Sequence, residues 1–277
     1  MKILISADME GATGVTWPAD VEPGTEQWQR CRKMFTSDVN AAVAGFFEAG
    51  ATEVLINEAH ATMRNLLLEE LDERAEMLTG RHKDLSMVEG IQHGDVDGVA
   101  FVGYHAAAGA DGVLAHTYLP NSITAVRVNG DSASEGRLNA HVAAEFGVPV
   151  VLITGDDRTC ADAGKYAPRA PAIPVKTCVS RYAAVCLPPA KSAAAIRAGA
   201  AAGMALAGQA EPGPGDQFRV QVEVDAAQLA QAAAIVPGVR RTGDRLVEYA
   251  SPVATEMIRT FKVVCTMISS AVEDAYG

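Results

Sequence analysis

Apolar and polar positions in the first two-thirds of the chain alternate between two periods. KILISAD (2–8), TEVLINEAH (52–60), VDGVAFVGYH (96–105) and VPVVLITGDD (148–157) contain short runs that are apolar on both faces, as buried strands are. PVKTCV (174–179) is a shorter strand of the same kind. Helical spacing intervenes. Met34, Val39, Ala42, Val43 and Phe46 recur near one face of a helix over 27–49, which Gly50 stops. Residues 65–77 also read as helical, and SEGRLNAHVAAEFG (134–147) has Ser134 as N-cap and Gly147 at its end. ITAVRVNG (123–130) alternates and closes on an Asn-Gly turn signal. Buried strands separated by helices predict an α/β fold with a mostly parallel sheet covered by helices on both faces.

The pattern changes after about residue 186. An alanine-rich helix is followed by FRVQVEVD (218–225), which alternates as a half-exposed strand does. A helix near 226–234, the strand RLVEYAS (245–251) and an amphipathic helix over 256–272 complete the chain. This predicts a larger α/β domain over 1–185, whose chemistry is read below, and a smaller α/β subdomain over 186–277. EPGPGD (211–216) reads as a loop within the latter.

Composition narrows the function. With 277 residues, 49% of them hydrophobic, the chain can bury a sizeable core. A formal net charge of −11 argues against nucleic acid, which needs clustered Lys and Arg. The most apolar helix carries Glu256, Arg259 and Lys262 and is not a membrane span. Met1-Lys2 runs directly into a strand, without the pattern of a signal peptide. Five cysteines form no CxxC pair and read as reduced thiols of a cytoplasmic protein.

The ends of the strands carry the chemistry. Ligands in parallel α/β sheets sit beyond the carboxyl ends of the strands. The first strand ends in Asp8 and Glu10, the second in Glu58 and His60, and the third in His105. The fourth of the series, ITAVRV, is followed, one short loop later, by Glu135 at a helix start. Asp8 and Glu10 flank Met9, so extended backbone points both carboxylates the same way. Such a pair is costly in a buried cleft unless a cation compensates it. Mixed carboxylate and imidazole suits zinc or another first-row ion better than calcium or magnesium. Five candidate ligands exceed the roughly three that one catalytic zinc takes, whereas two metals sharing a carboxylate use them all. Taken singly, each residue has a plainer reading. D-x-E at a strand end is also a solvated turn, and a glutamate in a helix's first turn is favoured by the helix dipole. Glu58, Asp156 and Asp157 read as supporting or turn residues, His82 and His93 as exposed, and His141 as structural.

SADMEGATGV, NEAHATMRNL, FVGYHAAAG, AHTY, RVNG…SEGRLNAHVAAEFGVPVVLITGDD and VKTCVSRYAA follow one another in this order. The set resembles the bacterial zinc-dependent D-aminopeptidases of the dipeptide-transport-operon (DppA) type, over roughly residues 1–185 and more loosely beyond. The resemblance implies two zinc ions per subunit. Asp8 would bridge them, Glu10 and His60 completing one site and His105 and Glu135 the other. His116, in AHTY, matches the family's catalytic histidine. The resemblance also implies a homodecamer of stacked rings, with active sites facing an inner chamber, that cleaves short peptides bearing D-residues at the amino end. One stretch departs from the family pattern: NGDSASEG precedes the helix where a small or Pro-containing run ending in Gly-Glu is expected.

Two other readings compete. Another dinuclear-metal amidase or phosphoesterase would use the same ligands, with Arg64 or Arg127 serving a phosphate. A non-catalytic, metal-stabilised oligomeric binding protein would hold structural zinc, but such sites are closed and cysteine-rich.

Overall fold

The computed structural model describes residues 1–215 and 217–273 and sorts the strands into two sheets. In chain order the first elements are β1 (Lys2–Ala7), α1 (Pro18–Val21), α2 (Glu26–Glu48), β2 (Glu53–Glu58), β3 (Glu76–Leu78) and β4 (Gly98–Val102). Then come β5 (Ile123–Val128), β6 (Asp131–Ser132), α3 (Glu135–Glu145), β7 (Val150–Asp156), α4 (Asp157–Tyr166), β8 (Ala172–Ser180) and β9 (Ala183–Cys186). The rest is α5 (Pro189–Gly203), β10 (Phe218–Val224), α6 (Ala227–Ala233), β11 (Arg240–Gly243), β12 (Leu246–Ser251) and α7 (Ala254–Ser270).

The larger sheet runs β3-β2-β1-β4-β7-β8-β9 and is parallel except for the β8–β9 hairpin at one edge. Its central strands β4 and β7 are buried at every position. Their near-continuous apolar runs have this cause: helices or the second sheet cover both faces. In β1, Ile3 and Ile5 enter one core with α2 and α5, and Leu4 enters the other with α3, α6, α7 and the second sheet. The second sheet, β11-β12-β10-β5-β6, is antiparallel throughout. It takes β5 and β6 from before residue 186, while α5, from after it, packs on α2 of the larger sheet's layer.

Two local expectations are corrected. Residues 65–77 do not form a helix: a three-residue 3-10 turn (Leu68–Glu70) and β3 occupy the stretch. Side chains of other elements hold the backbone of this stretch in its non-helical course. The Glu58 carboxylate accepts from Asn65 and Leu66, Thr36 Oγ1 from Leu67, and Asn40 Oδ1 from Asp72. The strand ITAVRV is real, but it belongs to the antiparallel sheet and not to the parallel series. Its alternation with β10, also alternating, is that of a sheet with one wetter face.

Glycine brings the strand ends together. Gly11 donates its N–H to the Gly103 carbonyl at 2.7 Å, and a Cβ on Gly11 would stand 1.8 Å from the Tyr104 carbonyl oxygen. Gly103 has φ +75°, open to glycine and strained for other residues. The loops after β1 and β4 therefore touch, which sets the residues that follow them side by side.

Candidate metal centre

Asp8 and Glu10 follow β1, His60 follows β2, and His105 follows β4, all at the carboxyl edge of the parallel sheet. Glu135 is the first residue of α3, whose N-cap Ser134 accepts the Arg137 N–H. His116 lies in the loop between β4 and β5. The fold brings these six side chains together, and each is 2–8% exposed.

Their donor atoms form three trios, each within 4.8 Å: Asp8–Glu10–His60, Asp8–His105–Glu135 and Glu10–His105–His116. His60 Nδ1 is 2.9 Å from Glu10 Oε2 and 3.5 Å from Asp8 Oδ1. His105 Nε2 is 3.4 Å from Asp8 Oδ2 and 3.5 Å from Glu135 Oε1. Asp8 thus takes part in two trios, with one carboxylate oxygen toward each histidine.

Backbone carbonyls set the imidazole tautomers. His60 Nε2–H donates to the Val21 carbonyl (2.8 Å), His105 Nδ1–H to Ala106 (3.0 Å) and His116 Nδ1–H to Leu114 (2.7 Å). Each ring then presents the lone pair of its other nitrogen to the carboxylates, the arrangement found in metal-ligating histidines. Glu135 Oε1 is held by the Tyr118 N–H at 2.7 Å.

Electrostatics agree that positive charge is missing from the protein atoms. Burial, and next the Glu10 charge, push the Asp8 carboxyl up to about 7. Burial opposes ionisation of Glu10, but His60 and His116 hold its carboxyl well below the usual range. His105 is driven up to about 10: burial opposes this, and the Glu135 and Asp8 carboxylates overcome it. Asp8 Oδ2, Glu10 Oε2 and His105 Nε2 are buried with no hydrogen-bond partner, though each lies within 3.5 Å of another atom of the set. Donor atoms this close that are not aligned on one another fit cations held between them. The donor set, three carboxylates with imidazoles that would give up a proton to a bound metal ion, fits zinc.

Support comes from residues around the set, of which Lys176 and Asp38 are ones that the strand-end reading did not single out. Lys176, on β8 and fully buried, donates to the carbonyls of Glu10 (2.6 Å), Ala12 (3.0 Å) and Val15 (2.6 Å). A lysine inside an otherwise apolar strand was the only signal for it. Asp38 Oδ2 accepts the Thr13 N–H in the same loop. Glu58 lies behind His60: besides holding Asn65 and Leu66, it anchors a turn whose Asn65 Nδ2–H donates to the His60 carbonyl. Asp156 caps α4 through the Thr159 N–H and fixes Val113 of the His116 loop, and Asp157 accepts the Cys178 N–H. His82 and His93 are exposed. Arg64 is exposed too, and Arg127 faces Glu223 across the antiparallel sheet at 3.6 Å. A cavity of about 340 Å³ by α3, lined by Arg137, His141 and Tyr166, includes none of the six residues.

The chain is similar to known proteins over its whole length. A D-aminopeptidase from Bacillus subtilis (strain 168) is 32% identical over 278 residues, covering all of both chains. A solved Bacillus subtilis structure, described as the Zn-dependent D-aminopeptidase DppA, a self-compartmentalizing protease, superposes with a TM-score of 0.92 at 31% identity. The match covers 97% of this chain and 98% of that one. The family profile Peptidase_M55, described as D-aminopeptidase, matches residues 1–263, and the chain belongs to that family.

Proposed function

We propose that this chain is a zinc-dependent aminopeptidase for short peptides with a D-residue at the amino end, holding two zinc ions per subunit. Asp8, Glu10 and His60 would hold one ion, and Asp8, His105 and Glu135 the other. The observation that carries this is the position of Asp8, shared by two donor trios with one oxygen toward each histidine. Bound zinc supplies Lewis acidity toward a carbonyl oxygen and makes water a competent nucleophile near neutral pH.

The chain's own groups do the rest. His116 Nδ1–H is committed to Leu114, which leaves Nε2 unprotonated and 3.6 Å from Glu10 Oε1. Burial, followed by the neighbouring His105, keeps that imidazole below its ordinary pKa. Nε2 is thus the group able to take a proton during attack on the scissile carbonyl and return it to the leaving amine. The near-parallel rings of His105 and His116, 4.1 Å apart, hold it in place.

Assembly into a closed compartment, a decamer, belongs to the same proposal. The β8–β9 edge carries exposed apolar side chains, Val179 (67%), Val185 (67%) and Tyr182 (44%), which suits contact with another copy. A cytoplasmic location is supported by the five cysteines, all free. Among the described residues no helix is long and apolar enough to cross a membrane.

The test is turnover of D-alanyl-D-alanine and L-alanyl-L-alanine, with chelator and then with zinc restored, alongside elemental analysis. Hydrolysis of the D-peptide should vanish with chelator and return with zinc, at about two ions per chain. Asp8→Ala should lose both metal and activity. Fewer than about one ion per chain, unchanged by Asp8→Ala, would refute the proposal.

A further inference from the structure

The motif VSRYAA takes no part in the metal centre, yet the fold brings its arginine to the same place. Arg181 and Tyr182 form the turn between β8 and β9. The Arg181 carbonyl accepts the Leu114 N–H at 2.8 Å, and the Leu114 carbonyl accepts His116 Nδ1–H at 2.7 Å. A single residue therefore ties the arginine turn to the imidazole. Both Arg181 and His116 line a cavity of about 120 Å³, along with Glu10 and the apolar Pro18, Val21 and Leu114. Room of that size admits one end of a short peptide and not a folded chain.

Arg181 is half-buried and forms no ion pair among the described residues, and its Nε is buried without a hydrogen-bond partner. Its nearest aromatic neighbour is the Tyr182 ring, 5.8 Å away. A partly buried guanidinium group with an unpartnered Nε and no counter-charge is unfavourable, and its planar fork matches a carboxylate. Among the described residues Arg181 is the only lysine or arginine lining the cavity, beside a site otherwise rich in carboxylates. A short unblocked peptide carries the one group that this arginine lacks, at the end opposite its amine.

We infer that Arg181 binds the free α-carboxylate of the peptide substrate and so sets a preference for short peptides with an unblocked carboxyl end. This rests on the peptidase function proposed above. The experiment compares zinc-loaded wild type and Arg181→Met on D-alanyl-D-alanine and on D-alanyl-D-alaninamide, which lacks the charge. Wild type should favour the free acid, and Arg181→Met should lower kcat/KM for it roughly 10- to 100-fold, chiefly through KM. Turnover of the amide should stay within about twofold, and Arg181→Lys should recover part of the loss. Equal losses on acid and amide, or no loss on either, would overturn the inference. Calorimetric binding of the two peptides to His116→Ala reads the same contact without turnover. Tighter binding of the acid that Arg181→Met abolishes supports the inference even if wild type hydrolyses neither peptide, a result that would refute only the peptidase function. Equal binding of acid and amide refutes the carboxylate contact itself.

Discussion

The Lys176 ammonium and the Glu10 backbone carbonyl are joined by a 2.6 Å hydrogen bond that spans 166 residues of sequence. The same ammonium group holds the Ala12 and Val15 carbonyls, so one buried cation organises the loop that presents Asp8 and Glu10. Burial pushes its pKa down to about 8, against the pull of Asp156 and Asp38. The group is kept for its three donors.

Lys176→Met removes those donors and leaves the buried Glu10 and Val15 carbonyls without their partner, while Ala12 keeps only the Val15 N–H at 3.3 Å. Stability should fall by roughly 2–5 kcal/mol in urea unfolding. Zinc affinity, measured by chelator competition on the folded variant, should fall about 10- to 100-fold, because Glu10 loses its anchor. Unchanged zinc affinity would confine Lys176 to a packing role.

His116→Ala separates proton transfer from metal binding. Zinc per chain should remain at the wild-type value while kcat drops roughly 10²- to 10⁴-fold. Loss of zinc in this variant would instead make the Glu10–His105–His116 trio a ligand set.

His141 provides a pH dependence remote from the metal centre. Burial, and next the Arg137 charge, lower its imidazole to about 4, from an ordinary value near 6.5. Between these values the unfolded chain binds a proton that the folded chain does not, so stability falls as pH drops through that window. The contribution reaches up to about 3 kcal/mol at the acid end. His141→Leu keeps an apolar contact with Phe218, whose ring lies 5.3 Å from the imidazole, and lacks the titration. The difference in unfolding free energy between wild type and variant should therefore change between about pH 7 and about pH 4.5. A constant difference would show that His141 is solvated.

Much of the architecture was legible because burial on both faces leaves a mark in sequence. The runs in β1, β4 and β7 could only be strands covered twice, and Asp8, Glu10, His60 and His105 could be placed at their carboxyl ends by counting along the chain. Where side chains from distant elements captured the backbone, local pattern misled. The helix expected over 65–77 gives way to a turn and to β3, which pairs with β2, and Thr36 and Asn40 of α2, which accept bonds from this stretch, lie outside any local window. Assigning ITAVRV to the parallel series failed for a related reason, since β5 finds its partner in β10, about a hundred residues on.

The sequence by itself determined the periodicity of the elements and the type of donor at each strand end. Both are properties of a few consecutive residues and the solvent they meet. Only tertiary structure decided that those donors face a common space, that carbonyls from Val21, Ala106 and Leu114 fix the imidazole tautomers, and that Lys176 and Arg181 arrive from β8 and its turn. Such relations depend on how separate strands are stacked side by side, and the free energy that fixes the stacking comes from two cores shared by the whole chain.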